Sequence, residues 1–209
     1  MPYDPGIHHR HSIRLKGYDY SQPGTYFITI VTQGRSSLFG EIVDGKMRLN
    51  NAGKIVQQEW RRLGQRFPHV ELDAFVVMPN HIHGIVIIHA RDVGATHPGQ
   101  TGYSLCKDRL LTRTLMDEDG SPLPDRIYSA TRGDRAMSNG PAPRSLGAII
   151  GQFKARVTKR LWTQPGLTGI PVWQRNYYEH IIRDEDEYSR LHRYIGSNPI
   201  HWQDDAENR

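Results

Sequence analysis

Ala74-Phe-Val-Val-Met-Pro-Asn-His-Ile-His-Gly-Ile-Val-Ile-Ile88 joins two strongly apolar runs through Pro79-Asn80, and His81 and His83 stand one residue apart where the second run begins. In a strand, successive side chains alternate between faces, so both imidazoles point one way while Ile82 points into the core. An unpaired buried imidazole is costly, and a strand that gives two same-face positions to such rings suits a two-ligand metal platform. Spacing alone supports equally well two histidines satisfied by backbone carbonyls or water, because the pattern is short. Residues 70–78 and 83–89 are expected as antiparallel strands, with His81 at the very start of the second.

Outward from this pair, residues 26–33 are dense in β-branched and aromatic side chains and read as a buried strand closed by Gly34. Residues 37–49 form a small hairpin around Asp44-Gly45, a dipeptide that tolerates positive φ. Asn50 or Asn51 caps a helix through Phe67, with Ile55, Val56, Trp60, Leu63 and Phe67 at three- and four-residue steps until Pro68 forbids continuation. Ser145 caps a second helix to about Trp162, striped by Leu146, Ile149, Ile150, Phe153, Val157 and Leu161. Residues 172–182 fit a further extended segment. Asp184 with Glu187 then has the form of a capping box opening a last helix that Pro199 ends. Strand, helix, strand, strand, helix, strand and a last helix predict an α+β ferredoxin-like sandwich: an antiparallel sheet, two helices on one face, and a C-terminal helix besides.

The 209 residues suit one domain over residues 25–203, preceded by a basic arm at 1–24 and followed by a polar tail at 204–209. His8, His9 and His11 in the arm read as a polar tail rather than a metal site. Between about 90 and 144 the texture turns to Gly, Pro, Ser, Thr and mixed charge, which predicts a flexible insertion. The formal charge of +5 favours a polyanionic partner. A single cysteine, Cys106, excludes an internal disulfide and a multi-thiolate zinc site, in keeping with a reducing cytoplasm. No run has the length of a signal peptide or membrane span, so a soluble cytoplasmic protein without membrane contact is expected. No GxxxxGK[ST] sequence is present, which argues against a nucleotide cofactor.

On the last helix, Tyr188, Leu191 and Ile195 make a packing face, with Tyr194 at its shoulder one turn before Asn198. A phenol is a poor nucleophile near neutrality because its pKa is near 10; a metal polarising a phosphodiester beside it, or a base, makes it competent. The Asn198 amide oxygen would then be a third ligand. Taken alone, Tyr194 reads equally as a core-edge residue and Asn198 as a terminator before proline, a position that disfavours the α region.

Four blocks in order, Gly17-Tyr-Asp-Tyr-Ser-Gln-Pro-Gly-Thr-Tyr-Phe-Ile-Thr-Ile, Val77-Met-Pro-Asn-His-Ile-His-Gly-Ile-Val, Val172-Trp-Gln-Arg-Asn-Tyr-Tyr-Glu-His-Ile-Ile-Arg and Tyr194-Ile-Gly-Ser-Asn-Pro, are spread over the chain on both sides of the insertion. Together they resemble the REP-associated tyrosine transposases, relatives of the IS200/IS605-type single-strand transposases in the HUH endonuclease superfamily. The resemblance implies that His81 and His83 bind a divalent metal, that Asn198 completes its shell where the IS200-type enzymes have Gln, and that Tyr194 attacks the scissile phosphate. Mg²⁺ or Mn²⁺ suits such a mixed shell of imidazole, amide and phosphate. It further implies single-stranded or hairpin DNA as partner, a 5′-phosphotyrosine intermediate, and a homodimer as one arrangement that several relatives adopt. For DNA contacts the basic candidates are Arg14 and Lys16 in the arm and Lys154, Arg156, Lys159 and Arg160 on the second helix. Tyr177, Tyr178 and Tyr188 are rival tyrosines, and His180 a candidate base or packed strand residue. Two other functions stay open: a noncatalytic nucleic-acid-binding protein, and a metal-dependent phosphodiesterase that uses water.

Overall fold

Strand β1 (Gly24–Val31) divides its side chains between two faces: Tyr26, Ile28 and Ile30 enter the main apolar cluster, and Phe27 enters a smaller one on the other side. The computed structural model describes residues 18–90 and 141–208. β1 lies inside a four-stranded sheet with β4 (Val70–Val77), β5 (His81–Ile88) and β6 (Tyr178–Ile182), in the order β4-β5-β1-β6 with every pairing antiparallel. Helices α1 (Asn51–Arg61) and α3 (Leu146–Leu161) bury Val56, Trp60, Ile149, Ile150, Phe153 and Val157 in the main cluster on one face. Helix α4 (Glu185–Ser197) packs Tyr188, Leu191 and Ile195 against Phe27 and Ile85 on the other. This is the expected α+β ferredoxin-like sandwich with an added C-terminal helix. A hairpin of β2 (Gly40–Val43) and β3 (Lys46–Leu49) stands beside it, turning through Asp44 (φ 51°) and Gly45 (φ 67°), the two positive angles of a tight hairpin turn.

Side-chain caps start the helices as the sequence predicts: Asn50 accepts from Gly53 N, Ser145 from Ala148 N and Asp184 from Glu187 N. Each such cap stabilises its helix by roughly 1 kcal/mol.

Two elements differ from expectation. The helix foreseen through Phe67 bends at Arg62 (φ −78°, ψ −11°) and resumes as the short α2 (Leu63–Arg66), where Gly64 is a poor helix former. The strand foreseen over 172–182 enters the ladder only at Tyr178. Before it, Trp173 makes an isolated bridge to Thr32 and Gln174 N donates to Val31 O at 2.9 Å. The Lys154 ammonium takes the carbonyls of Gln174 (2.6 Å) and Asn176 (3.1 Å), which turns residues 174–176 out of the sheet. Among the described residues no helix is long and apolar enough to cross a membrane.

Candidate metal and nucleophile site

His81 and His83 occupy the first and third positions of β5, opposite Val31 and Thr29 of β1, on the sheet face that α4 crosses. Ile82 and Val86 point the other way into the main cluster. Hydrogen bonds at the ring backs orient both imidazoles. His81 Nδ1 lies 2.8 Å from Asn80 Oδ1, and the Asn80 amide is itself fixed because its Nδ2 donates to the carbonyls of Arg35 (3.2 Å) and Glu207 (2.7 Å). A carboxamide oxygen only accepts, so His81 Nδ1 carries the proton and its Nε2 presents a lone pair. His83 Nδ1 meets Thr29 Oγ1 at 2.8 Å, and the two Nε2 atoms face each other at 3.0 Å.

Both rings are buried. Burial draws the His81 pKa down to about 4, with the Asp205 carboxylate opposing and Arg35 assisting. Burial, and then the neighbouring His81, hold His83 well below the usual imidazole value. Both are therefore neutral near pH 7, the form that ligates metal.

From the opposite end of the sequence, α4 brings the Tyr194 hydroxyl to 3.3 Å from His83 Nε2. Phe27 organises the pair: its ring stacks on His83 with centroids 5.3 Å apart and meets Tyr194 edge-on at 6.2 Å. The tyrosine is 41% exposed, so its face stays open to solvent. Burial and then the Asp205 carboxylate push its phenol up to about 12. Asn198, the C-cap of α4, keeps α geometry (φ −54°, ψ −40°) although proline follows. Its Nδ2 donates to Asp205 Oδ2 at 2.9 Å, while its buried Oδ1 has no hydrogen-bond partner among the described residues.

Asp205 is the functional candidate that sequence reasoning missed. The end of the expected domain and the start of the polar tail lie over the histidines: Trp202 stacks toward His81 with centroids 6.0 Å apart, and in the tail Asp205 Oδ2 lies 4.0 Å from His81 Nε2. Arg35 pins this segment through Glu207 (2.8 Å) and the Ala206 carbonyl (3.1 Å). No periodicity announces such a placement; the only sequence signal was a lone tryptophan among acidic residues.

His81, His83 and Asp205 form a group that could hold a metal ion, with ligand atoms all within 4.8 Å of one another. Two ligands at right angles and about 2.1 Å from one ion stand about 3.0 Å apart, and the two Nε2 atoms are 3.0 Å apart. Asn198, whose Nδ2 bonds Asp205, keeps its buried Oδ1 without a hydrogen-bond partner among the described residues, an oxygen of the kind that ligates a hard cation. The residues thus fit a cation.

The other candidates lie elsewhere. Arg156 and Arg160 meet the buried Glu59 at 3.3 and 2.9 Å, alongside Arg62 and Arg66. Lys154 is taken up by carbonyls, whereas Lys159 is exposed. His180, opposite Phe27 in the ladder, is taken up by Glu187 at 2.7 Å. Tyr177 packs on the main cluster, Tyr178 is exposed, and the Tyr188 hydroxyl donates to Asp73. Arg14, Lys16, the three arm histidines, Cys106 and residues 91–140 of the insertion lie outside the described residues.

Fold and site together define a ferredoxin-like α+β protein with a buried histidine pair facing a helix-borne tyrosine. No family profile matches the chain. It is 40% identical over 203 residues to an uncharacterized protein of Haemophilus influenzae, covering 97% of this chain and 95% of the relative, and it belongs to that protein's family. Among solved structures it is similar to a REP-associated tyrosine transposase bound to a REP hairpin, at 18% identity over 86% of this chain and 68% of that one, with a TM-score of 0.46. A Deinococcus radiodurans protein provisionally described as a transposase aligns at 14% identity over 88% of this chain and 95% of the other, with a TM-score of 0.38.

Proposed function

We propose that the protein is a metal-dependent single-stranded DNA endonuclease and strand transferase, a tyrosine transposase of the HUH type with Tyr194 as nucleophile. One observation carries the reading: the Tyr194 hydroxyl lies 3.3 Å from Nε2 of His83, 111 residues away in sequence and one of a neutral, oriented imidazole pair. The four sequence blocks described above support it independently.

His81 and His83 would hold Mg²⁺ or Mn²⁺ through Nε2, with Asn198 Oδ1 and the Asp205 carboxylate as further donors. Such a cation would polarise a nonbridging phosphate oxygen and draw the phenol pKa back toward neutrality. Tyr194 Oη then forms a bond to phosphorus in line as the bond to the 3′-oxygen breaks; the phenol proton is lost and the departing oxygen becomes a 3′-hydroxyl. The 5′ side of the DNA stays on the protein as a phosphotyrosine. Because the link retains the energy of a phosphodiester, a free 3′-hydroxyl reverses the step on another end without a nucleotide cofactor. Asn80 fixes the His81 tautomer, and Thr29 orients the His83 ring.

The test is incubation with labelled hairpin oligonucleotides and Mn²⁺, followed by denaturing electrophoresis. Wild type should form a protein–DNA adduct and Tyr194→Phe none. Persistence of the adduct in the variant rejects this nucleophile, cleavage without adduct favours a water-using phosphodiesterase, and binding without cleavage of any hairpin favours a noncatalytic nucleic-acid-binding protein.

A further inference from the structure

Beyond the histidine site, an open groove of about 600 Å³ runs between α3 and residues 172–175. Trp162, Trp173, Lys154, Lys159 and Arg175 line it, and among the described residues no acidic one does. Trp162 is a large apolar residue left 43% exposed yet held in place. Its indole N–H donates to the Ile170 carbonyl at 2.9 Å, and Thr168 Oγ1 donates to its carbonyl at 2.8 Å. An aromatic face kept in water and fixed in orientation is a ready stacking surface. Lys154, bonded to the carbonyls of Gln174 and Asn176, builds the wall, whereas Lys159 and Arg175 are exposed at the rim and make no ion pair among the described residues.

The groove lies on the α3 side of the sheet, opposite the face that carries the histidines, and the two are linked through the backbone of the sheet at Gln174. Gln174 N bonds to Val31 O, and Val31 pairs with His81 in the next strand. Gln174 is thus two strand spacings, about 10 Å, from His81 along the sheet.

We propose that this groove holds the single-stranded flank of the DNA, with one base stacked on Trp162 and Lys159 and Arg175 on the neighbouring phosphates. The inference rests on the DNA reading of the previous subsection and adds a subsite to it. An aromatic face beside backbone-tracking cations is the arrangement that single strands use, tolerant of sequence because every base has a π-face. The cationic rim with no acidic lining matches a polyanion rather than a neutral apolar ligand.

Fluorescence anisotropy with a hairpin carrying an oligothymidylate extension, and with the same hairpin left blunt, tests this. Trp162→Ala should weaken binding of the extended hairpin about 5- to 100-fold and leave the blunt hairpin within twofold of wild type. Trp162→Phe should keep most of the affinity while losing the quenching of tryptophan emission. Lys159→Ala and Arg175→Ala, on exposed positions that leave folding intact, should each lower the slope of log affinity against log salt by about 0.7. Unchanged affinity in Trp162→Ala together with an unchanged salt slope in the two cation variants overturns the subsite, and adduct formation that still needs Tyr194 shows in that case that the functional reading survives. Failure of the wild type to bind either hairpin overturns both. Tighter binding of an oligouridylate than of the oligothymidylate overturns the assignment to DNA.

Discussion

Replacing Gly84 by alanine separates two contributions of opposite sign. Gly84 follows the histidine pair in β5 and faces the helices, and a Cβ built there lies 2.5 and 2.7 Å from Trp60 Cζ2 and Cη2. Comfortable carbon contacts are about 3.5–4.0 Å, so the indole has to retreat by about 1 Å. It has nowhere to go: the ring stacks on Phe75 with centroids 4.4 Å apart and an interplanar angle of 10°, and its edge meets Phe153 at 5.6 Å. Overpacking of this kind costs about 1–3 kcal/mol. Without the clash, alanine in a strand interior would stabilise by about 0.5–1 kcal/mol through reduced backbone entropy. Setting about 2 kcal/mol of overpacking against about 0.7 kcal/mol of gain leaves a net cost of about 1.3 kcal/mol, and for a chain of this size the expected fall in Tm is about 3–5 °C, read by calorimetry. A cycle with Trp60→Phe, which shortens the ring away from the new methyl, should recover at least about 0.5 kcal/mol of the cost. A Gly84→Ala protein that melts at or above the wild-type temperature would refute the close packing of β5 on Trp60.

Glu59 sets the acid limit. Burial would raise its carboxyl, but hydrogen bonds from Arg160, Arg66 and Arg62 outweigh it and bring the pKa from 4.5 to about 2. A depressed carboxylate contributes stability that is present above the unfolded value near 4.5 and is lost as pH falls toward 2. At about 1.36 kcal/mol per pH unit the interval amounts to about 3 kcal/mol, reduced to roughly 2 because Arg62 and Arg156 are half-exposed. Urea unfolding from pH 6 to 2.5 should show this decline in wild type and a flatter profile in Glu59→Gln; parallel profiles would contradict it. Asn80→Ala removes the acceptor that fixes the His81 tautomer and should lower Mn²⁺ affinity about 10- to 100-fold by titration calorimetry, whereas an unchanged affinity would leave Asn80 no orienting role.

The sandwich was legible because its signals are local. Period-two alternation placed Ile82 in the core and both histidines on the other face, and the spacing of Tyr188, Leu191 and Ile195 set the buried side of α4. Where the reading fell short, a distant group decided. The late entry of β6 depends on Lys154, twenty residues upstream of Gln174, capturing carbonyls that a strand would otherwise have used. The break at Arg62 accompanies the turning of Arg62 and Arg66 back to Glu59. Asp205 sits in a stretch without periodicity, and its approach to His81 relies on Arg35 and Asn80 gripping Glu207 across more than a hundred residues. Such contacts leave no trace in local propensity.

The covalent link itself is the most direct measure of the proposal, and trypsin separates the rival tyrosines. Cleavage after Arg193 releases residues 194–209, whose only tyrosine is Tyr194, while Tyr188 falls on residues 184–190 and Tyr177 and Tyr178 on residues 176–183. After reaction with hairpin DNA and Mn²⁺, nuclease trimming and tryptic digestion, mass spectrometry should find the nucleotide on residues 194–209. A nucleotide carried by either of the other two peptides would contradict the assignment of Tyr194.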